Sequence, residues 1–248
     1  MAERILITGG SNGLGASLAA LYRQRGAAVT VLDREAPQPA EEHEYIELDL
    51  GAVPDGTWPR MPGPFDIVIC NAGISVSGDF IEIPDDAERD VMAVNFTGHM
   101  RLVKHLLRER LIAPGGRIAF ICSATRFLSF PIALAYSASK GALDGFAQAL
   151  ESYLVKDGIS VTRVYPGPMN TGHSRYYPGA RTTGGRLPEQ SAPGIVRAID
   201  RRRRQVCPDP VSRFYCLADK FVPRMLARKA YKFYEDRMSS SCPNENSL

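Results

Sequence analysis

Short β-branched apolar runs alternate with longer amphipathic stretches along most of this chain, which restricts it to a parallel sheet joined by crossover helices. Residues 4–8, 28–33, 44–48, 66–70, 117–122 and 160–165 read as strands, with a short seventh near 205–207. Ile67-Val68-Ile69 is apolar on both faces, as a strand covered by helices on each side must be. Residues 14–25, 87–110, 135–156 and 192–203 carry helical spacing, and a further helix begins near Ser212. The expectation is one α/β domain over residues 1–238, built on a doubly wound parallel sheet of about seven strands with helices on both faces. A C-terminal helical extension covers about 212–237, and residues 239–248 read as a disordered tail. Two crossovers break the pattern. Residues 35–42 hold two prolines, and residues 51–64 hold four prolines and three glycines, so both should be short or loop-like.

Composition narrows the setting. The five cysteines (Cys70, Cys122, Cys207, Cys216, Cys242) are odd in number and never spaced C-x-x-C. The four histidines show no ligand spacing, so no metal is expected. No apolar run is long enough to span a bilayer, and Met1-Ala2-Glu3-Arg4 leads straight into Ile5-Leu6-Ile7. The expected location is the cytoplasm. A net charge of +3 is too small to indicate nucleic acid.

Thr8-Gly9-Gly10-Ser11-Asn12-Gly13-Leu14-Gly15 follows the first strand and opens the first helix. A parallel sheet can there place a phosphate against backbone N–H groups and the positive end of a helix. The spacing is G-x-x-x-G-x-G rather than G-x-G-x-x-G, and alone it is also compatible with a tight turn. Asp33 ends the second strand, where a carboxylate can accept both hydroxyls of an adenosine ribose and repel a 2′-phosphate. That favours NAD as cofactor, while the adjacent Arg34 leaves NADP open.

Tyr136 and Lys140 stand at i and i+4, on one face of a helix. Random order gives about 0.24 such pairs in this composition, and about 0.02 once a serine is required thirteen residues earlier. Ser123 is that serine, and it closes the strand ending Ile121-Cys122, where an open α/β sheet lines its ligand crevice. With the glycine turn, Asp49-Leu50, Asn71-Ala72-Gly73, Asn95 and Pro166-Gly167-Pro168-Met169-Asn170-Thr171, in this order, the chain resembles the short-chain dehydrogenase/reductase family along nearly its whole length.

The resemblance implies a Rossmann-type sheet and hydride transfer between a nicotinamide and an alcohol or ketone. Tyr136 would be the acid/base, its pKa brought below the ordinary 10 or so by the Lys140 cation and the oxidised nicotinamide. Lys140 would also hold the nicotinamide ribose. Ser123 would stabilise the substrate oxygen, and Asn95 would position a water linking Lys140 to solvent. For the cofactor, the family implies Gly9, Ser11, Asn12, Gly13, Leu14 and Gly15 at the phosphates and Asp33 and Arg34 at the ribose. Asp49 and Leu50 would flank the adenine, with Asn71, Ala72 and Gly73 beside the adenosine ribose. Pro166, Gly167, Met169 and Thr171 would meet the carboxamide. Two departures stand out: Cys70 replaces a frequent asparagine, and the proline-rich crossovers replace the family's helices.

Residues 173–187 suit a lid over substrate, with Tyr176, Tyr177, Arg126, Leu128 and Phe130 as candidate pocket residues. From Arg197 to Lys232 there are eleven Lys/Arg and three Asp, a local balance of +8. Phe214, Leu217, Phe221, Met225 and Leu226 recur there at helical spacing, interrupted by Pro223. Three readings stand for this region: an oligomer contact or pocket cover, a solvated amphipathic helix, or a basic helix lying on an anionic membrane. The resemblance adds a homodimer or homotetramer paired through the long helices. The competing functions are an NADPH-dependent carbonyl reductase, a non-catalytic cofactor-binding regulator, and a membrane-surface protein acting through its basic tail. The complete Ser/Tyr/Lys/Asn set favours an enzyme over a regulator.

Overall fold

The computed structural model describes residues 2–37, 44–54, 57–127, 130–170, 186–221 and 232. Seven parallel strands form one sheet in the order β3-β2-β1-β4-β5-β6-β7, with β1 Arg4–Thr8, β2 Ala28–Asp33, β3 Glu44–Glu47, β4 Phe65–Cys70, β5 Ile112–Ile121, β6 Ser160–Val164 and β7 Gln205–Val206. The order reverses between β1 and β4, the place where an open doubly wound sheet leaves a crevice at the carboxyl ends of its strands.

Helices α1 (Gly13–Gln24) and α5 (Pro188–Asp200) cover one face. There Leu14, Leu18, Tyr22, Ile195 and Ile199 bury against Ile5, Ile7, Val29 and Ile69. The other face carries α2 (Asp85–Met92), α3 (His99–Arg108) and α4 (Leu134–Tyr153), whose Leu102, Leu106, Leu143 and Ala147 pack on Leu6, Val68, Ile118 and Phe120. The central strands are therefore apolar on both sides, as their sequence requires. A further helix, α6 (Pro210–Phe221), follows β7; Asp209 caps it by accepting from the Ser212 N–H at 2.8 Å, with Pro210 in its first turn.

Several boundaries differ from the sequence expectation for identifiable reasons. The expected helix 87–110 begins at Asp85 and is interrupted by a π-helical segment, Ala93–Gly98, centred on Asn95. The expected strand 117–122 begins earlier, at Ile112. Phe65 pairs with Ile112 and Ile67 with Arg117, so the four residues Ala113–Gly116 stand against the single Asp66 and three of them are extra backbone. The expected helix 192–203 starts at Pro188, because a proline costs no hydrogen bond in the first turn.

Neither proline-rich crossover forms a helix among the described residues. Residues 48–64 replace that cover with side chains: Leu50, Val53 and Met61 are buried, and Trp58 stacks on His105 with ring centroids 5.3 Å apart. Residues 38–43 between β2 and β3, residues 171–185, which hold most of the expected lid, and the tail 239–248 lie outside the described residues, as does most of the basic region after Phe221.

Candidate active site

Thr8 ends β1, and Gly9 and Gly13 turn the chain into α1 with φ of +64° and +55°, in the left-handed region that favours glycine. A β-carbon on Gly9 would lie 2.7 Å from the Ala72 Cα, so the turn closes directly onto the segment after β4. The Asn71 carboxamide secures that closure by donating to the carbonyls of Thr8 and Gly9 at 3.0 and 2.8 Å. Helix α1 begins at Gly13 after Asn12, with no capping side chain and no acidic residue in its first turn. Its N–H groups and the positive end of its dipole thus face the crevice with no side chain of the turn answering them. A dinucleotide pyrophosphate fits that cradle.

Asp33 stands at the end of β2, where its carboxylate accepts from the Ser11 N–H at 3.0 Å. The Ser11 hydroxyl donates to the Glu35 carbonyl at 2.5 Å, tying the turn to the strand end. Arg34 is exposed and its guanidinium lies 3.6 Å from the Glu35 carboxylate. Asp49 is exposed and accepts from the Gly51 N–H at 2.9 Å, whereas Leu50 is buried in the core. Cys70 is fully buried in the core, which accounts for its tolerance at that place.

The second cluster gathers at the end of β5. Ser123 caps the short turn Ala124–Arg126, its hydroxyl accepting from the Thr125 N–H at 3.2 Å and sharing a hydrogen bond with Tyr136. Tyr136 and Lys140 lie one turn apart on α4 and both are buried. The Lys140 ammonium donates to the Ile121 carbonyl at 2.8 Å and sits 5.9 Å from the centre of the Tyr136 ring. A β-carbon on Gly73 would stand 3.3 Å from both the Lys140 Nζ and the Asn95 Oδ1, so Gly73 keeps the space between them open. The expected quartet converges, and it does so beside the glycine turn.

The electrostatics differ from expectation. Burial pushes the Tyr136 phenol up to about 12, and the opposing contribution comes from its hydrogen bond with Ser123 rather than from Lys140. Burial also brings the Lys140 ammonium down to about 8. In this arrangement the phenol keeps its proton throughout the neutral range.

Asn95 is fully buried, and its carboxamide is heavily committed. Oδ1 accepts from the Ile74 N–H at 2.8 Å, and Nδ2 donates to the Ile74 carbonyl and the Ser139 hydroxyl, each at 2.9 Å. Only a second lone pair on Oδ1 is left for the expected water.

The sequence reading missed His99 and the role of the Thr8 hydroxyl. That hydroxyl accepts from the N–H groups of Asn71 and Ala72 at 2.8 and 3.0 Å, and it pairs with His99 Nε2 at 2.9 Å. Its proton therefore goes to Nε2, leaving the imidazole proton on Nδ1 to be donated to the Asn95 carbonyl at 3.1 Å. Burial, with Lys140 adding to it, holds His99 neutral by lowering its pKa to about 3. The available signal was His99 standing one turn after Asn95. Thr8→Val keeps the shape but leaves two backbone N–H groups and the imidazole Nε2 without their partner. It should lower the unfolding free energy by about 1–3 kcal/mol in a urea titration.

Asp209 was also missed. It is buried and accepts from the Gly167 N–H at 2.9 Å, and a β-carbon on Gly167 would lie 2.7 Å from its Oδ1. It thereby pins the Pro166-Gly167 turn after β6. Beyond that turn Met169 pairs with Arg186 through an isolated parallel bridge. Phe130 packs on the small cluster of Val91, Ala133 and Tyr136, and Arg126 lies 3.2 Å from the Asp144 carboxylate. Thr171, Tyr176, Tyr177 and Leu128 lie outside the described residues.

Residues 3–180 match the family model described as short chain dehydrogenase. The chain belongs to the short-chain dehydrogenase family. A "Dehydrogenase/reductase SDR family protein 7-like" of Anopheles gambiae is similar at 32% identity, over 84% of this chain and 75% of the relative. Among solved structures, this short-chain dehydrogenase superposes on one from Burkholderia cenocepacia J2315 in complex with NADP. The TM-score there is 0.74 at 20% identity, over 92% of this chain and 97% of that one. It also superposes on 4-hydroxyisoleucine dehydrogenase complexed with NADH, with a TM-score of 0.68 at 20% identity, over 83% and 94% of the two chains. At those identities the superpositions show the shared fold. Among the described residues, no helix of this short-chain dehydrogenase is long and apolar enough to cross a membrane.

Proposed function

We propose that this protein is a nicotinamide-dependent oxidoreductase interconverting a secondary alcohol and a ketone, with Tyr136 as its acid/base. The observation that carries the reading is the buried Ser123–Tyr136 hydrogen bond with the Lys140 ammonium 5.9 Å from the phenol ring, at the strand ends beside an uncapped helix N-terminus. A bound nicotinamide dinucleotide supplies the hydride donor or acceptor. The uncapped N–H groups of α1 would hold its pyrophosphate, at a turn that Gly9 and Gly15 let close onto Ala72 and the Gly9 carbonyl. Lys140 would also hold the nicotinamide ribose, and Pro166, Gly167 and Met169 would meet the carboxamide.

Tyr136 gives its proton to the substrate oxygen as a carbonyl is reduced, and takes one as an alcohol is oxidised. Ser123 steadies the substrate oxygen while charge develops on it. Asn95 holds the Ile74 backbone and α4 in place, and through its remaining lone pair orders the water that exchanges Lys140's proton with solvent. A small alcohol or ketone and a second copy of the chain, paired along α2–α3 and α4, are the partners of this reading. Cys70, Cys122, Cys207 and Cys216 are free thiols, which supports a cytoplasmic setting.

A panel of secondary alcohols and ketones, followed by absorbance of the reduced nicotinamide, tests the proposal; no substrate-dependent change with either cofactor would end it. We assign the preference to NAD, because the Asp33 carboxylate would repel a 2′-phosphate and Arg34 leans toward Glu35. Asp33→Ser should raise KM for NADH about tenfold or more, since a hydrogen bond to a charged group contributes about 1.5–3 kcal/mol. It should leave KM for NADPH unchanged or lower. Equal shifts for both cofactors would refute the assignment.

A further inference from the structure

Helix α6 is amphipathic in the inverse sense. Ser212 is fully buried and Asp219 half-buried on its inner side, while the outer side presents Val211, Phe214, Leu217 and Phe221, exposed by 47, 61, 61 and 76%. These four residues fall on one face at helical spacing, and Arg213 is also exposed. A solvated helix places its polar residues outward, so this outer face calls for an apolar cover.

Charge selects the cover. From Pro210 to Lys232 the sequence holds six Lys/Arg and one Asp, a balance of +5, whereas the whole chain carries +3. A second copy laid on this face across a two-fold axis would bring the same positive charge against it. An anionic lipid surface offers both what the apolar face needs and the opposite sign. Placement agrees with this. Helix α6 follows the carboxyl end of β7 and packs against the Ala124–Arg126 turn next to Ser123. The exposed Phe80 and Ile81 follow the carboxyl end of β4, and the exposed Leu187 precedes α5 after the carboxyl end of β6. Most of the large exposed apolar side chains thus gather at the end of the sheet that carries the crevice; Tyr153 and Val155, at and just past the end of α4 before β6, lie at the other end.

We infer that the outer face of α6, through Val211, Phe214, Leu217 and Phe221, docks the protein peripherally on an anionic lipid surface, with the crevice mouth turned toward the lipid. This does not rest on the proposed catalytic role.

The test is sedimentation of the full chain with vesicles of phosphatidylcholine alone or mixed with phosphatidylserine, at low and high salt, with light scattering on a sizing column run in parallel. The wild-type chain should sediment with the mixed vesicles at least about tenfold more strongly than with neutral ones, and salt should weaken it. Phe214→Ser/Leu217→Ser/Phe221→Ser, which alters only exposed positions, should lose about tenfold or more of that binding while its far-UV circular dichroism and elution volume stay unchanged. Wild-type protein that ignores phosphatidylserine vesicles overturns the inference, and so does a triple variant that binds them equally. A variant that drops to a smaller species on the sizing column would make the face a contact between copies, which also overturns it.

Discussion

Tyr136→Phe is expected to lower kcat by about 10²–10⁴-fold, the range for removal of a positioned general acid/base. The substitution deletes one oxygen from a buried side chain and leaves the ring packed with Val91 and Ala133. The Ser123 hydroxyl loses one partner but keeps the Thr125 N–H, so the fold should lose no more than about 1 kcal/mol. Cofactor binding measured by calorimetry should be unchanged, and KM should move far less than kcat. Near-wild-type turnover would remove Tyr136 from the chemistry. The pH profile offers a second check. With the phenol held up at about 12, its protonated form dominates at neutral pH, so ketone reduction should be nearly flat from pH 6 to 8. Alcohol oxidation needs the phenolate and should rise with pH over the same interval.

Asp144→Ala should be the most destabilising single substitution in the core of this protein, costing about 3–5 kcal/mol. The Asp144 carboxylate is buried on α4 and accepts from the Tyr165 hydroxyl at 2.7 Å and the Arg163 guanidinium at 3.3 Å, with Arg126 Nε at 3.2 Å. Arg163 is itself buried, and its Nε already lacks a partner. Without Asp144 that cation keeps only Gln148, at 3.1 Å, so a charge stays in the core nearly unpaired. Urea titration and a fall in Tm of about 10 °C would register the loss. Replacing both partners, as Asp144→Leu/Arg163→Met, should recover most of it, because the cost lies in the abandoned charge rather than in the missing attraction. If the single variant lost under 1 kcal/mol, water would have to be reaching Arg163. The network runs from Arg126, just after Ser123, to β6. Its loss should therefore also loosen the serine and reduce turnover more than the unfolded fraction explains.

The seven strands, their parallel order and the two helical layers were legible because each rests on local pattern: apolar runs, helical spacing and proline density. The clustering of the candidate quartet was legible for a related reason. Tyr136 and Lys140 are one helical turn apart, and Ser123 sits at a strand end, so chain geometry alone brings them near the crevice. Boundaries were less legible where tertiary contacts override local preference. The π segment at Asn95 follows from the Ile74, Ser139 and His99 contacts to that residue, and from Gly98 letting the Leu50 carbonyl approach.

Sequence by itself determined the alternation that makes this a doubly wound sheet, the glycine turn that opens α1, and the identities of the residues gathered at the end of β5. These depend on neighbours within a few positions, where backbone geometry leaves few choices. Tertiary structure alone decided the protonation of Tyr136, the tautomer of His99, the burial of Asp144 and the outward turn of the apolar face of α6. Each of these depends on how much water and which distant groups surround a side chain.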